Sequence, residues 1–588
     1  MNDFVNYINS MNNASSDTVE ALAESQVLSD YYDKIRIDRA IGKYIADRIK
    51  KKERLTIVLT GHAGDGKTSI LVQVLRELGL LTPNTPLKEE EEFIKDDIRL
   101  YAVKDMSELS ENKQIDFCQK ALEAPQNNMS AVIISNTGPL LKCLETINSR
   151  KNGEKINEAE KNRFQSELLE QLDSNKNEPI LIGEYKILLI NIARIDNVYF
   201  AEKILKKLIA DELWSPCENC RKKENCYIFN NVRLINKYYG RISSFITAFY
   251  SYLYENDMRM TIRQMLSQIS FSITGNHSCT EIGDNSKDVV KFRNLFSNLF
   301  FGFSGYDEID NADQIQGIAY AKSLKLDSKA LKCDYKLFVT GDLKDFPSDI
   351  RTLVESQKNI FNIKHLNIES NEEKDTVFND KDTEYRKAIR RTYIFFGQES
   401  GKTDKYNTLY DELFGSGFND FMCIQHNEAE HSLIRRMENT ITNALYLEMT
   451  GISSSQAREI PITIKRNDDS FQKVMLTNGS LKKSDFKIVA VNDSNEFEDI
   501  QNKKKVFLKI CNQDTFRLTL PMVIYFKEIA DGVISTIADP SLTHGISKLK
   551  TLLQKNCTGN DEITIIVNNT DVPTDLKLYI YDGKIFVE

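Results

Sequence analysis

Apolar residues recur along this chain with two different spacings, and the change of spacing separates a central part from the rest. Between residues 55 and 210, short runs of consecutive apolar residues alternate with stretches in which apolar residues return every three or four positions. Consecutive runs are typical of strands buried on both faces, and the wider spacing is typical of amphipathic helices. The clearest runs are residues 55–60, 98–103, 131–135 and 187–191. The pattern predicts a parallel sheet covered by helices, an α/β core over residues 35–210.

The segments outside this core have a different spacing of apolar residues. Residues 1–34 and 291–450 carry mostly helical spacing, which predicts an N-terminal helical segment and a helical domain. From about residue 451, short alternating runs are broken by polar turn residues, as in half-buried strands. Residues 451–588 are therefore predicted to form a C-terminal α+β domain, and partner binding is its default role. Within the core, the acidic run at 89–92 predicts an exposed loop.

A glycine-rich motif joins the first buried run to the first helical stretch. Residues 61–68 fit the pattern G-x-x-x-x-G-K-[ST], with a predicted strand before them and a predicted helix after them. Glycines let successive backbone N–H groups face a phosphate, and the helix N-terminus adds partial positive charge. A chance match is the alternative, and the flanking strand and helix argue against it. The motif predicts a P-loop whose nucleotide-binding residues are Gly61, Gly64, Asp65, Gly66, Lys67, Thr68 and Ser69.

ATP and Mg²⁺ are the cofactors that this motif predicts. The ammonium group of Lys67 is expected to bridge the β- and γ-phosphates, and the hydroxyl of Thr68 is expected to coordinate Mg²⁺. Asp105 follows the run at 98–103, at the end of a strand where a carboxylate can hold Mg²⁺. Glu108 is then a candidate activator of the attacking water. The alternative is that Asp105 and its neighbours only begin a helix, because Ser107 also reads as a helix start.

An asparagine and two arginines complete the predicted catalytic set. Asn136 ends the run at 131–135 and is expected to hold the attacking water or to sense the γ-phosphate, although asparagine is also ordinary in turns. Arg259 and Arg263 are four residues apart in a stretch predicted to be helical, so they would share one helix face. Arg263 is the predicted contact to nucleotide; the alternative for each arginine is a surface salt bridge.

Cysteine spacing predicts a second site. Cys217, Cys220 and Cys226 form C-x₂-C-x₅-C on what reads as a short polar loop, and Zn²⁺ takes thiolates at such spacing. The fourth ligand has to come from elsewhere, with Cys279 preferred over His277. Three unrelated core cysteines are the alternative, which the Glu, Asn, Arg and Lys neighbours disfavour. We expect a structural Zn²⁺ knot that, with a helical lid, occupies residues 211–290.

Composition limits the cellular setting. The chain has 588 residues with a net charge of −9, so no global basic field indicates nucleic acid. No apolar run approaches the roughly 18 residues of a membrane span, and the first residues lack a secretory pattern. Ten cysteines beside a nucleotide motif suit free thiols or metal rather than disulfides. These features predict a cytoplasmic protein without a membrane partner.

Taken together, the motifs resemble the DptF family, the P-loop proteins of bacterial DNA-phosphorothioation-dependent restriction systems. The resemblance covers about residues 25–300, and its matching positions are 61–69, 104–108, Cys217, Cys220, Cys226, 261–263, 274–275 and Cys279. It implies an ATPase component that acts against unmodified foreign DNA together with DptG- and DptH-like partners. The sequence offers no nuclease motif, so a partner is expected to do any cutting.

Two other functions stay open at this level. The first is a stand-alone DNA motor or helicase, and the second is a nucleotide-gated signalling switch that recruits an effector. Either function is compatible with a homo-oligomer and with DNA contacted directly or through partners. The expected fold class is an α/β P-loop NTPase core with a helical lid, a zinc knot and a C-terminal α+β domain.

Overall fold

The chain forms two compact units in a computed structural model. Unit 1 contains Met1–Tyr254, Met258–Lys405 and Asn495–Ile500, and unit 2 contains Glu255–Asp257, Tyr406–Ser494 and Gln501–Glu588. The boundary near residue 405 falls inside the segment 291–450 that was expected to be one helical domain. The structure describes residues 1–11, 29–82, 85–152, 166–173, 178–182, 185–283, 287–357, 380–398, 406–451, 457–463, 474–492, 496–500, 503–511, 514–533, 539–557, 562–568 and 573–587.

A six-stranded, mostly parallel sheet lies at the centre of unit 1. Its strands are β1 (Thr56–Thr60), β2 (Glu90–Lys95), β3 (Ile98–Val103), β4 (Ser130–Ser135), β5 (Ile180–Ile182) and β6 (Tyr185–Asn191). They lie in the order β2-β3-β4-β1-β6-β5, with β3, β4, β1 and β6 parallel and the two edge strands antiparallel to their neighbours. Every residue of β1 and β4 is buried. The predicted α/β core with a largely parallel sheet is confirmed.

Helices cover both faces of this sheet. Ile57 and Leu59 of β1 pack with the helices α3 (Ala40–Lys50) and α4 (Lys67–Glu77). Val58 points the other way and packs with α5 (Glu111–Glu123) and α6 (Thr137–Asn152). Because side chains alternate along a strand, one continuous apolar run supplies both cores.

Among the described residues, a helical stretch at 166–173 lies between β4 and β5, and further helices of unit 1 precede the sheet or follow it. The first two are α1 (Asp3–Ser10) and α2 (Tyr32–Ile35). Those after β6 are α7 (Tyr199–Leu208), α8 (Asp211–Glu218), α9 (Tyr227–Lys237), α10 (Tyr239–Glu255), α11 (Ile262–Thr274), α12 (Asp288–Arg293), α13 (Phe296–Phe300), α14 (Gln316–Ser323), α15 (Ser348–Glu355) and α16 (Asp380–Phe396). A two-stranded hairpin of β7 (Phe303–Ser304) and β8 (Asp307–Glu308) lies among them. None of the helices in the described residues is long and apolar enough to cross a membrane.

Unit 2 combines helices with two antiparallel sheets. Its helices are α17 (Thr408–Phe414), α18 (Phe418–Gln425), α19 (His431–Thr450), α20 (Leu520–Ala530) and α21 (Pro540–Asn556). Its strands are β9 (Glu459–Thr463), β10 (Val474–Lys482), β11 (Phe486–Asn492), β12 (Lys504–Ile510), β13 (Asp514–Arg517), β14 (Glu562–Asn568), β15 (Pro573–Tyr581) and β16 (Lys584–Val587). The sheets have the orders β16-β15-β14-β10-β9 and β11-β12-β13. Both α and β elements are thus present in the C-terminal part, as expected.

One local expectation in the core is wrong. The acidic run at 89–92 is not a loop, because Glu90 to Glu92 belong to β2, which pairs antiparallel with β3. At a sheet edge, one side of a strand faces solvent and tolerates charge, so the charged sequence hid the strand.

Candidate functional site

The site is organised by the glycine-rich loop, residues 61–66, which joins β1 to α4. Gly64 has φ +88° and Gly66 has φ +79°, both in the left-handed region that favours glycine. A Cβ atom on Gly64 would lie 3.0 Å from Oγ1 of Thr261 and 3.3 Å from Cβ of Arg263. The loop therefore needs glycine for its backbone turn and for the close approach of the segment that begins α11.

Lys67 begins α4 and turns its side chain back over the loop. Its Nζ donates to the carbonyl oxygens of Gly61 at 3.1 Å and His62 at 2.9 Å, and to Oδ1 of Asn136 at 2.9 Å. Burial lowers the pKa of Lys67, the carboxylates of Asp105 and Asp65 oppose that shift, and the Arg263 guanidinium adds to it. The ammonium group therefore lies among three acceptors with charged groups of both signs nearby.

The end of β3 brings Asp105 to the same edge of the sheet. Oδ1 of Asp105 accepts a hydrogen bond from the backbone N–H of Ser107 at 2.9 Å and caps the short 3₁₀ helix Met106–Glu108. Oγ of Ser107 in turn accepts from the backbone N–H of Asn136 at 3.0 Å. The helix-start interpretation of Asp105 is thus confirmed locally. The same carboxylate raises the pKa of Lys67 against the effect of burial.

Strand order explains why Asp105, Asn136 and Lys67 meet. β4 lies between β3 and β1, and the last residues of β1 and β4, Thr60 and Ser135, are register partners. Residues that follow these parallel strands therefore lie at one edge. Glu108 ends the 3₁₀ helix with an exposed side chain, and its role in activating water stays a prediction.

Thr68 and Ser69 lie in the first turn of α4, directly after Lys67. The side chain of Thr68 is half-buried and that of Ser69 is exposed. Both positions lie at the N-terminus of a helix, where backbone N–H groups and the helix dipole favour an anion. Their predicted contacts with nucleotide and Mg²⁺ stay predictions.

Arg259 fixes the loop by binding its only acidic residue. Asp65 is fully buried; its Oδ1 lies 2.8 Å from Nη1 of Arg259, and its Oδ2 accepts from the backbone N–H of His62 at 2.9 Å. Arg259 also donates to the carbonyl oxygen of Ile192 at 3.0 Å. The predicted shared helix face of Arg259 and Arg263 is wrong, because α11 begins only at Ile262.

The helix begins there because Thr261 caps it. Thr261 and Gln264 form a reciprocal capping box, with each side chain bonded to the backbone N–H of the other residue. This start directs the backbone N–H of Arg263 to the carbonyl oxygen of Gly64 at 3.3 Å. The Arg263 side chain is half-buried, and its positive charge contributes to the lowered pKa of Lys67.

Sequence reasoning missed a third arginine at the loop. Nη1 of Arg39 donates to the carbonyl oxygen of Asp65 at 3.2 Å, and the Arg39 backbone exchanges two hydrogen bonds with the side chain of Gln73. The guanidinium also stacks over the ring of Phe200 at 4.8 Å and pairs with Asp499. A lone arginine before a helix carries no distinctive signal, and Asp499 is 460 residues away in sequence.

The four predicted zinc ligands lie near one another, in and beside the connection between α8 and α9 and in the segment after α11. Cys217 is in the last turn of α8, Cys220 lies in the connection and Cys226 is the N-cap of α9, so the predicted short polar loop is present between the two helices. Burial raises the pKa of Cys217, a hydrogen bond from Asn2 lowers it, and the thiols of Cys279 and Cys220 raise it further. The thiols therefore interact electrostatically across α8, α9 and the segment after α11.

These thiols have not adopted a coordination geometry. Among the described residues, no group of three or more His, Cys, Asp or Glu side chains is arranged to hold a metal ion. Instead Sγ of Cys217 accepts from Nδ2 of Asn2 at 3.5 Å, and Sγ of Cys279 lies 3.9 Å from the Asn2 carbonyl oxygen. The alternative ligand His277 packs edge-on against the ring of Tyr227 at 5.7 Å.

The comparisons with known proteins give no match, so the interpretation of the site rests on its geometry. No protein-family model matches the chain, and neither a curated protein nor a solved structure matches it significantly. What the site offers is a buried ammonium group, a helix N-terminus and an arginine beside a carboxylate and an amide. Such a set suits a phosphate chain with a divalent cation.

Proposed function

We propose that this chain is a P-loop protein that binds and hydrolyses ATP. The observation that carries the proposal is the position of Lys67, whose Nζ is bound by two carbonyl oxygens of a glycine-rich loop and by Asn136. Those acceptors hold the ammonium group where phosphate oxygens would replace them. The N-terminus of α4 directs further N–H groups to the same place.

The other polar groups have roles that follow from their chemistry. The Thr68 hydroxyl and the Asp105 carboxylate are oxygen ligands of the kind Mg²⁺ takes, and Mg²⁺ supplies charge neutralisation when bound. Asn136 can orient water beside the terminal phosphate, and Arg263 can neutralise charge that develops there. Glu108 is the proposed activator of that water. Loop residues Gly61, Gly64, Asp65, Gly66 and Ser69 line the nucleotide.

The biological setting that we propose is a phosphorothioation-linked restriction system in the cytoplasm. Its support is the DptF-like set of motifs, of which the glycine-rich loop and Asp105 follow parallel strands that end at the same edge of the sheet. The chain would act with DptG- and DptH-like proteins and leave cleavage of unmodified DNA to a partner. A nucleotide-gated switch is the second candidate, because Asp499, in a segment that lies in sequence between β11 and β12, pairs with Arg39, which donates to the backbone of the glycine-rich loop.

The test is ATP binding and turnover by the purified chain, with and without unmodified duplex DNA. Lys67→Ala should abolish binding, and Asp105→Asn should keep binding but lower turnover by about 100-fold. Lys43→Ala, at an exposed position of α3, is the matched control and should behave as wild type. Wild-type binding that survives in Lys67→Ala would overturn the proposal. Turnover stimulated by DNA alone would favour the motor, and slow turnover indifferent to DNA would favour the switch.

A structural Zn²⁺ held by Cys217, Cys220, Cys226 and Cys279 is a separate part of the proposal. The C-x₂-C-x₅-C spacing supports it, together with Cys279, whose thiol raises the pKa of Cys217 and Cys226. Bound Zn²⁺ would tie α8 and α9 to the segment that follows α11.

Metal analysis of the purified chain tests this part. We expect about one Zn²⁺ per chain, with loss of the metal and a lower Tm in Cys226→Ser or after chelation. Cys423→Ser, a half-buried cysteine outside the set, should keep the metal. The proposed Zn²⁺ site would be contradicted if wild-type protein from cells grown with added zinc were stable and contained no zinc.

A further inference from the structure

A short segment from the C-terminal part of the sequence belongs to unit 1. Residues 496–500, here called the insert segment, lie in sequence between β11 and β12, and both of these strands belong to unit 2. The insert segment itself is part of unit 1. Its contacts are therefore contacts within the unit that holds the glycine-rich loop.

Phe497 anchors the insert segment in an apolar core. Its side chain is fully buried in the cluster that contains Ile41 of α3, Leu59 of β1 and Ile70 of α4. Its ring lies 5.6 Å from that of Tyr44, centroid to centroid. Burial of a phenylalanine is a strong hydrophobic contribution, so it fixes the segment against the core that α3, β1 and α4 share.

Asp499 makes two buried polar contacts at the start of α3. Its Oδ1 accepts from the backbone N–H of Ala40 at 2.7 Å, and its Oδ2 lies 3.4 Å from Nε of Arg39. The side chains of Arg39 and Asp499 are only 3% and 5% exposed. Burial lowers the pKa of Arg39, and the carboxylates of Asp499 and Asp65 oppose that shift, so Asp499 is a main compensating charge for the buried guanidinium.

Arg39 connects Asp499 to the glycine-rich loop. Its Nη1 donates to the carbonyl oxygen of Asp65, which follows Gly64 and precedes Gly66. The Asp65 side chain is already fixed by Arg259, so Arg39 adds restraint on the backbone of the same residue. Removing the charge of Asp499 would leave a buried guanidinium with one compensating partner fewer, and the guanidinium would move.

We propose that Asp499 is a positioning residue for the nucleotide, acting through Arg39 on the backbone of the glycine-rich loop. The inference rests on the proposed ATP site and adds a regulation to it. Because coupling between sites is reciprocal, ATP binding should also stabilise the insert segment.

Asp499→Asn tests the inference with little change of shape. The amide oxygen can still accept from Ala40, whereas the charge that compensates Arg39 is lost. We expect the Kd for Mg-ATP to rise on the order of tenfold, a typical coupling, while Glu496→Gln at an exposed position of the same segment leaves the Kd unchanged. In an Arg39→Gln background, Asp499→Asn should add no further loss, because its effect passes through Arg39.

A second measurement keeps the inference testable if Asp499→Asn folds poorly. Amide hydrogen exchange of residues 496–500 in the wild-type chain should slow when Mg-ATP is added, and it should not change in Lys67→Ala. Equal ATP affinity of wild type and folded Asp499→Asn, or exchange indifferent to ATP, would overturn the inference. If the wild type binds ATP in a Lys67-dependent manner in those cases, the proposed function stands and only the coupling fails. A wild type that does not bind ATP overturns both.

Discussion

At the glycine-rich loop, a buried lysine and a buried aspartate two residues apart are held by different partners. Lys67 donates to Gly61, His62 and Asn136, whereas Asp65 is paired with Arg259. This separation keeps the ammonium group free of a salt bridge within its own loop. Phosphate oxygens can therefore replace neutral acceptors, which costs less than breaking an ion pair.

The lowered pKa of Lys67 predicts proton uptake on ATP binding at alkaline pH. Burial destabilises the ammonium form in the free protein, and phosphate anions would stabilise it, so binding raises the pKa. ATP affinity should therefore fall as the pH rises through the lowered pKa of the free protein. Calorimetry near pH 9 in two buffers of different ionisation enthalpy measures the uptake.

The control for this prediction is Lys67→Arg, since a guanidinium stays charged throughout the range. Whatever binding remains in that variant should proceed without proton uptake, and Lys43→Ala should show the wild-type uptake. Equal uptake in wild type and Lys67→Arg would assign the proton to another group.

Among the elements, the start of α11 has the most specific effect on the site. The capping box of Thr261 sets where the helix begins and hence which backbone N–H reaches the carbonyl oxygen of Gly64. It also leaves Arg259 outside the helix, where it can bind Asp65. Because of this cap, Arg259 binds Asp65 through its side chain and Arg263 contacts Gly64 through its backbone, although the two arginines are only four residues apart in sequence.

Thr261→Ala is expected to lower the free energy of unfolding by about 1 kcal/mol and to weaken ATP binding. The cap stabilises the helix, and its loss frays the turn that contacts the loop. Asn407→Ala removes the N-cap of α17 in unit 2 and is the matched control, with a similar loss of stability and unchanged ATP affinity. Chemical denaturation and ATP titration of both variants give the comparison. Equal ATP affinities in the two variants would show that the cap serves folding alone.

Over the whole molecule, neither of the two units is formed by one continuous stretch of the sequence. Residues 496–500 belong to unit 1, although the residues on either side of them in sequence belong to unit 2. Phe497 is part of the apolar core that packs against α3 and α4. A fragment ending at residue 405 would therefore lack part of the core of unit 1. The net charge of −9 means that any contact with DNA has to be local rather than a property of the overall field.

Local patterns were enough for the elements whose residues are neighbours in sequence. β1, the glycine-rich loop and α4 follow from an apolar run, glycines at positive φ and helical spacing, all within residues 55–79. β3, β4 and β6 were predicted within one or two residues of their observed ends. β2 was missed because charge at a sheet edge looks like a loop, and α20 because a nearly continuous apolar stretch has no helical spacing to detect.

The sequence by itself determined the glycine-rich loop, the types of polar residue around it and the cysteine spacing, because backbone sterics and side-chain periodicity act over a few residues. Only the tertiary structure decided that β4 lies between β3 and β1, that Arg259 binds Asp65, and that Asp499 reaches Arg39. Those contacts depend on complementary surfaces brought together by burial of apolar area, and no local pattern records which distant surfaces will meet.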